Sequence, residues 1–237
     1  YNMALPKIDQ PLFEIVIPST DKKAHFRPFT VKEEKILLIA QESKDVDQII
    51  LSIKQVLNNC LVGAEVDDLS VFDLEYIILN IRGKSVNNEI LFGFQDEETE
   101  ERVDVMLDVN DVNVQFDPNH SKEIVINDQY YIMMRYPSLD EVKGMQLLGE
   151  GDTEQMFNTM LSCIDILVDR TSDEIYKLSE FTDKEVSDFV DGFTGTVVES
   201  IKKFYQTMPK LRHTIEYKDK NGKDKTFVVE GMESFFT

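Results

Sequence analysis

The chain contains 237 residues, of which 25 are lysine or arginine and 45 are aspartate or glutamate, so its formal net charge is −20. This charge argues against a direct nucleic-acid binder, because neutralising phosphates needs a positive face. The length suits one large domain or two small ones and excludes a disulfide-stabilised mini-protein. No apolar run approaches the ~20 residues that cross a bilayer, so no membrane span is predicted.

The two cysteines, Cys60 and Cys163, lie inside apolar periodic segments, which is typical of small buried side chains and not of a disulfide. Tyr1 and Asn2 precede Met3 and are expected to be a remnant of expression. The following residues lack a basic and then apolar leader, so no secretory signal is expected. The two cysteines, which are expected to be buried and unbridged, make a reducing cytoplasm the expected compartment.

The first part of the chain predicts a β-hairpin followed by a capped helix. Residues 12–18 and 24–29 have the composition of strands, and the first of these ends at a proline. Thr30 precedes Glu33 by three residues, the spacing at which each side chain bonds the other's backbone N–H at a helix start. A helix over about 31–43 is therefore predicted.

Two further helices are predicted in the same region. Apolar residues recur at three- and four-residue spacing and form one stripe: Val46, Ile49, Ile50, Ile53, Val56, Leu57, Cys60 and Leu61. Ser70 and Asp73 repeat the capping spacing, and Leu69 and Leu74 occupy the positions of a hydrophobic staple. The third helix is therefore expected to begin just after Ser70.

From Glu89 the period of the apolar residues changes from 3.6 to 2, which indicates a sheet. Two strands, over 90–94 and 103–109, are predicted on either side of the acidic loop 96–101. Further strands are expected at 112–116, 124–126 and 130–134.

The C-terminal part predicts three helices and a hairpin. An apolar stripe indicates a helix over 152–168, Thr182 with Glu185 begins a second, and Pro209 ends the third. The pair Asn221-Gly222, between two alternating segments, is a strong signal for a β-hairpin. No repeat with a fixed period is apparent.

Together these elements predict an α+β fold, in which a helical cluster packs with antiparallel sheet and is followed by C-terminal helices and a β-hairpin. The expected organisation is an N-terminal α+β region over 3–150 and a C-terminal region over 151–237, packed either as one domain or as two.

Motifs for chemistry are mostly absent. The glycine-rich phosphate loops, the nucleophile elbow and the Cys-x-x-Cys pair do not occur, and the segment 108–113 lacks the central glycine of a calcium loop. A non-enzymatic interaction protein is therefore predicted. One alternative is a metal-dependent enzyme that uses Asp104, Asp108 and Asp111, and another is an acidic mimic of nucleic acid that binds basic proteins.

Two segments resemble a known family. Residues 26–38, which read FRPFTVKEEKILL, are similar to a signature near the start of the T4-type bacteriophage baseplate hub proteins, and the second match runs through 72–76 and 79–86. Tyr136-Pro137 and the closing segment 231–236 also look like landmarks of that family.

The resemblance implies a non-enzymatic viral protein that takes part in building the baseplate hub of a contractile tail. Its implied partners are other phage tail or hub proteins, with no cofactor, no metal and no nucleic acid, and its implied location is the host cytoplasm during assembly or the virion. Some relatives carry cysteine pairs on hairpins. No cysteine lies within 91–103 or 217–227, so a zinc site is not implied here.

The resemblance also makes exposed side chains of the first segment candidates for a partner surface, because capping explains Thr30 and Glu33 but not their basic neighbours. The aromatic pair near the C-terminus is a second candidate. The predicted partner-binding residues are Arg27, Phe29, Lys32, Lys35, Phe235 and Phe236.

Overall fold

A computed structural model describes residues 8–43, 45–141 and 160–231. The chain forms two compact units. Unit 1 contains the residues up to Val114 together with those from Lys210 onward, and unit 2 contains Gln115–Pro209. Unit 1 is therefore discontinuous in sequence. The predicted boundary at residue 150 lies outside the described residues.

The fold is α+β, as predicted. In chain order the described strands are β1 (Phe13–Val16), β2 (Lys23–Phe26), β3 (Leu61–Val62), β4 (Glu89–Gln95), β5 (Arg102–Asp108), β6 (Asn113–Gln115), β7 (Glu123–Val125), β8 (Tyr130–Met134), β9 (Ile164–Asp169), β10 (Glu174–Lys177), β11 (Lys210–Lys218) and β12 (Asp224–Glu230). The described helices, apart from short 3-10 turns, are α1 (Val31–Ser43), α2 (Val46–Cys60), α3 (Val71–Ser85), α4 (Asp183–Val190) and α5 (Gly195–Thr207).

Unit 1 begins with the predicted hairpin and helices. Strands β1, β2 and β3 form an antiparallel sheet in that order. Helix α3 begins at the predicted capping box, in which Ser70 accepts from the backbone N–H of Asp73 while the carboxylate of Asp73 accepts from that of Ser70. The helix then buries a wide apolar side, including Leu74, Ile77 and Ile78.

Two hairpins complete unit 1. Strands β4 and β5 pair around the acidic loop that the sequence predicts, and β11 and β12 pair around Asn221-Gly222. Gly222 has a φ of +77°, which a residue without a Cβ adopts at no cost. The two hairpins pack face to face through aromatic rings, since the ring of Phe94 stacks on Phe227 with centroids 4.0 Å apart.

Unit 2 contains an antiparallel sheet in the order β10-β9-β8-β7. Helix α5 buries Val197, Ile201 and Phe204 in a core shared with Ile124 and Ile132 of the sheet. The prediction of a helix over 152–168 is wrong from Ile164 onward, where the chain forms β9. The short apolar run fits a buried strand as well as a helix, and β9 is held between β8 and β10 by backbone hydrogen bonds.

The structure contains an internal repeat that has no fixed period in the sequence. We call residues 13–108 the first repeat and residues 123–230 the second repeat. In each repeat a β-hairpin is followed by the sequence Arg-x-x-Ser/Thr-x-x-Glu, and a cysteine then precedes a strand that pairs with the hairpin. After that strand, a capping box begins a helix, and a second hairpin follows later in the chain. The spacing between matching residues changes along the chain, because the connections differ in length.

The atomic contacts of the two repeats also match. The N–H of Arg27 donates to the carbonyl of Cys60 at 2.9 Å, and that of Arg135 donates to the carbonyl of Cys163 at 2.8 Å. The last hairpins match as well, since Asp96 and Asp219 each directly follow the first strand of their hairpin. Each carboxylate accepts from backbone N–H groups of its own loop. The two repeats therefore share the same local arrangement of hydrogen bonds.

Candidate partner-binding surface

The segment that carries the first family-like signature is held by a buried ion pair. The guanidinium of Arg27 lies 3.0 Å from the carboxylate of Glu33, whose side chain is 3% exposed. The N–H of Thr30 donates to the same carboxylate at 2.9 Å. We call the set Arg27, Thr30, Glu33 and Cys60 the first clasp. It fixes the direction in which the chain leaves β2 and begins α1.

The second repeat has the equivalent second clasp, formed by Arg135, Ser138, Glu141 and Cys163. Its guanidinium contacts the carboxylate at 2.6 and 2.8 Å, and the N–H of Ser138 donates to that carboxylate at 2.8 Å. The acidic side chain is more exposed here, at 23%. The second clasp is therefore the same arrangement with more water around it.

Both clasps hold their carboxylates ionised. Burial by itself raises the pKa of Glu33, but the hydrogen bonds from Arg27 and Thr30 outweigh it and lower the pKa from 4.5 to about 2. For Glu141, burial is likewise outweighed by the bonds from Arg135 and Ser138, and the pKa is lowered to about 2. Each clasp is therefore a closed ion pair at neutral pH.

Helix α1, which the first clasp positions, is apolar on two sides. One side is buried or half-buried and includes Ile36, Leu37 and Ala40. The other side leaves Val31, Leu38 and Ile39 exposed at 64%, 52% and 65%. These three residues share one stripe of the helix, because they are separated by seven and eight positions. We call this stripe the α1 outer face.

The predicted partner-binding residues fall into three groups. Lys32 and Lys35 are exposed on α1, close in sequence to the outer face. Arg27 is engaged with Glu33, and Phe29 is half-buried with its N–H donating to Ser85 at 2.9 Å. Phe235 and Phe236 lie outside the described residues. The roles of all six in partner binding stay predictions.

A buried charge cluster joins the two hairpins of unit 1, and the sequence analysis did not find it. The ammonium of Lys225 lies 2.9 Å from Asp96 and 3.5 Å from Asp219, and the hydroxyl of Tyr217 donates to Asp96 at 2.6 Å. The bonds from Tyr217 and Lys225 hold the pKa of Asp96 well below its usual range. Asp96 is more than 120 residues from Tyr217 and Lys225, so no local spacing signals this contact between the hairpins.

The carboxylates proposed for a metal-dependent enzyme have structural partners. Asp104 pairs with Arg102 on β5 at 2.9 Å, and Asp108 accepts from the N–H of Asn110 at the start of a 3-10 turn that includes Asp111. Among the residues that the structure describes, no three His, Cys, Asp or Glu side chains come together to hold a metal ion. In the same described part of the chain, no helix is long and apolar enough to span a membrane.

Comparison with known proteins gives one match. The sequence model of the family described as T4 bacteriophage base plate protein matches residues 10–237. Searches among curated proteins and among solved structures return no match. The matched range includes both repeats, both clasps and the α1 outer face.

Proposed function

The chain belongs to the T4 bacteriophage base plate protein family, and we propose that it acts at the central hub of a contractile phage tail as a non-enzymatic subunit or assembly factor. Family membership gives a structural or assembly role in the phage baseplate. The hub, the cytoplasm of the infected host as the place of assembly, and binding to other tail proteins are the finer parts of the proposal.

The α1 outer face is the observation that carries the proposal of protein binding. Val31, Leu38 and Ile39 remain exposed on a helix whose other side is already packed. A partner that covers them gains about 1.5 to 3 kcal/mol for each side chain fully removed from water. Because the first clasp fixes the start of α1, the stripe is presented in one orientation and loses little entropy on binding.

The charges beside the stripe support recognition. Lys32 and Lys35 flank the exposed Glu34 in the same helix, so these exposed charges are positive on balance in a chain of net charge −20. A partner surface with carboxylates around an apolar patch would be attracted to this region and repelled by most of the remaining surface. Binding is therefore expected to be specific in orientation and to weaken as salt increases.

The proposal is tested by affinity capture from infected-cell lysate at low salt. The bait is the full chain, either unchanged or with Leu38→Ser and Ile39→Ser. We expect the unchanged chain to retain other tail proteins, identified by mass spectrometry, and the double variant to retain them about tenfold less.

Leu91→Ser is the matched control, because Leu91 is also a strongly exposed apolar residue of unit 1 but lies on β4. The control is expected to behave like the unchanged chain. Recovery of no tail protein at low salt by the unchanged chain would contradict the proposed function. Equal recovery by the double variant would contradict the role of the α1 outer face.

A further inference from the structure

Unit 2 contains an open apolar groove where its sheet meets α4 and the 3-10 turn before it. The groove has a volume of about 510 Å³. Tyr130, Leu167 and Tyr176 line it from the sheet, and Leu178, Val186 and Phe189 line it from the turn and the helix. Phe181 stands at the same site and is 43% exposed. We call this site the unit 2 groove.

The matching side of the helix in the first repeat is buried. The capping boxes align Ser70 with Thr182, and Asp73 with Glu185. On this alignment the groove residues Phe181, Val186 and Phe189 match residues that are buried in the first repeat: Leu69, Leu74 and Ile77. Within the described part of the chain, the second repeat therefore keeps the apolar side chains of this helix start but leaves Phe181 exposed and Val186 and Phe189 half-buried.

The hairpin loops of the two repeats also differ in their contact with the capping carboxylate. In the first repeat the connection between β1 and β2, residues 17–22, reaches the helix start, where the N–H of Ser19 donates to Asp73 at 2.8 Å. The matching connection in the second repeat, residues 126–129, is shorter. Glu185 is exposed, whereas Asp73 is buried. The same helix start is thus open to another molecule in the second repeat.

The negative charge around the groove favours a positively charged binding partner. The segment 174–191, which contains most of the groove residues, carries six carboxylates and two lysines. The carboxylate of Glu185, which lines the groove, is oriented by the N–H and the hydroxyl of Thr182. An apolar segment with positive charges would bury its apolar side chains in the groove while its lysines or arginines approach this acidic segment.

We propose that the unit 2 groove binds a basic amphipathic segment of another baseplate protein. The inference rests on the proposed function and specifies the chemistry of one partner. A second copy of this chain is a poor occupant, since two molecules of charge −20 repel each other.

The experiment uses the full chain and three labelled peptides of equal length. The first alternates lysine with leucine and phenylalanine, the second has glutamate in place of lysine, and the third has serine in place of the apolar residues. Fluorescence anisotropy at low salt is expected to show that the first peptide binds at least about tenfold more tightly than the other two. We also expect Phe181→Ser to weaken the first peptide by about tenfold.

Ile175→Ser is the matched control. Ile175 is exposed on β10 next to Tyr176, but successive side chains of a strand point to opposite faces, so it is directed away from the groove. It should leave binding unchanged. Circular dichroism spectra and thermal midpoints establish that both variants are folded. Hydrogen exchange should show that the first peptide protects residues 181–190.

Three results would overturn the inference: equal binding of the serine and leucine peptides, tighter binding of the glutamate peptide, or unchanged binding by Phe181→Ser. These results leave the proposed function intact if the unchanged chain still captures tail proteins. Conversely, loss of all captured tail proteins would contradict the proposed function whatever the peptides do.

Discussion

The two repeats share the same local sequence motifs but bury the corresponding side chains to different degrees. Each has an arginine-to-glutamate clasp after a hairpin and a capping box before a helix. In the first repeat Asp73 is fully buried and Glu33 nearly so, whereas Glu185 is exposed and Glu141 is partly exposed.

This difference shows that the position at which a helix begins and the burial of that helix have separate causes. The spacing of Ser or Thr and an acidic residue sets where a helix begins, and it does so in water as well as in the core. What covers the helix afterwards is decided elsewhere in the chain. We infer that the helix start after the capping box serves stability in the first repeat, where it is buried, and leaves apolar surface accessible in the second.

The largest expected difference comes from breaking each clasp. Arg27→Met leaves the buried carboxylate of Glu33 without its cation and should lower the free energy of unfolding by about 4 kcal/mol. Arg135→Met should cost only about 2 kcal/mol, because water reaches Glu141 more easily. Chemical denaturation followed by circular dichroism measures both. Equal losses would mean that burial does not distinguish the clasps.

The capping boxes give the next comparison. Asp73→Ala removes the acceptor for the N–H groups of Ser70 and Ser19 in a buried site, so we expect a loss of about 3 kcal/mol. Glu185→Ala removes an exposed cap and should cost about 1 kcal/mol. The same denaturation measurements apply. A larger loss for the Glu185 variant would contradict the comparison.

Acid should weaken both clasps. The pKa values of Glu33 and Glu141 are about 2 in the folded chain and 4.5 as the ordinary value, so their stabilising effect is complete above pH 4.5 and is lost as the pH falls towards 2. At about 1.4 kcal/mol for each pKa unit, each should contribute about 3 kcal/mol. In Glu33→Gln the free energy of unfolding should depend less steeply on pH in this range. An unchanged slope would show that Glu33 is not held ionised.

The smallest effect tests whether the clasps are interchangeable. Thr30→Ser gives the first clasp the residue of the second, and Ser138→Thr makes the reverse change. Both substitutions keep the backbone N–H and the hydroxyl that contact the glutamate, so each should change stability by less than about 0.5 kcal/mol. Thr30→Val, which removes the hydroxyl, is the control and should cost about 1 kcal/mol. A thermal melt distinguishes these outcomes.

Local signals made much of the fold predictable. The capping boxes at Ser70 and Thr182 and the Asn221-Gly222 turn act over a few residues, and all three were found from spacing alone. The helix predicted across residues 164–168 was wrong, because a short apolar run is compatible with either period. These residues form a strand because they pair with β8, which is distant in sequence.

The candidate site was less predictable for the same reason. Spacing explains Thr30 and Glu33, whereas Arg27 is assigned to a partner surface because capping does not account for it. The buried state of Glu33, which gives Arg27 its intramolecular partner, depends on the packing of α1. Lys225 and the cover over Leu74 depend on segments distant in sequence, so only the folded chain shows them.

The discontinuity of unit 1 has a consequence for biosynthesis. Its hairpin β11–β12 packs on β4–β5, yet all of unit 2 is translated between them. Unit 2 is contiguous and can fold while the ribosome is still at work, whereas unit 1 must wait for the last strands with an aromatic surface of its first hairpin uncovered. During that interval the nascent chain is expected to be a substrate for chaperones.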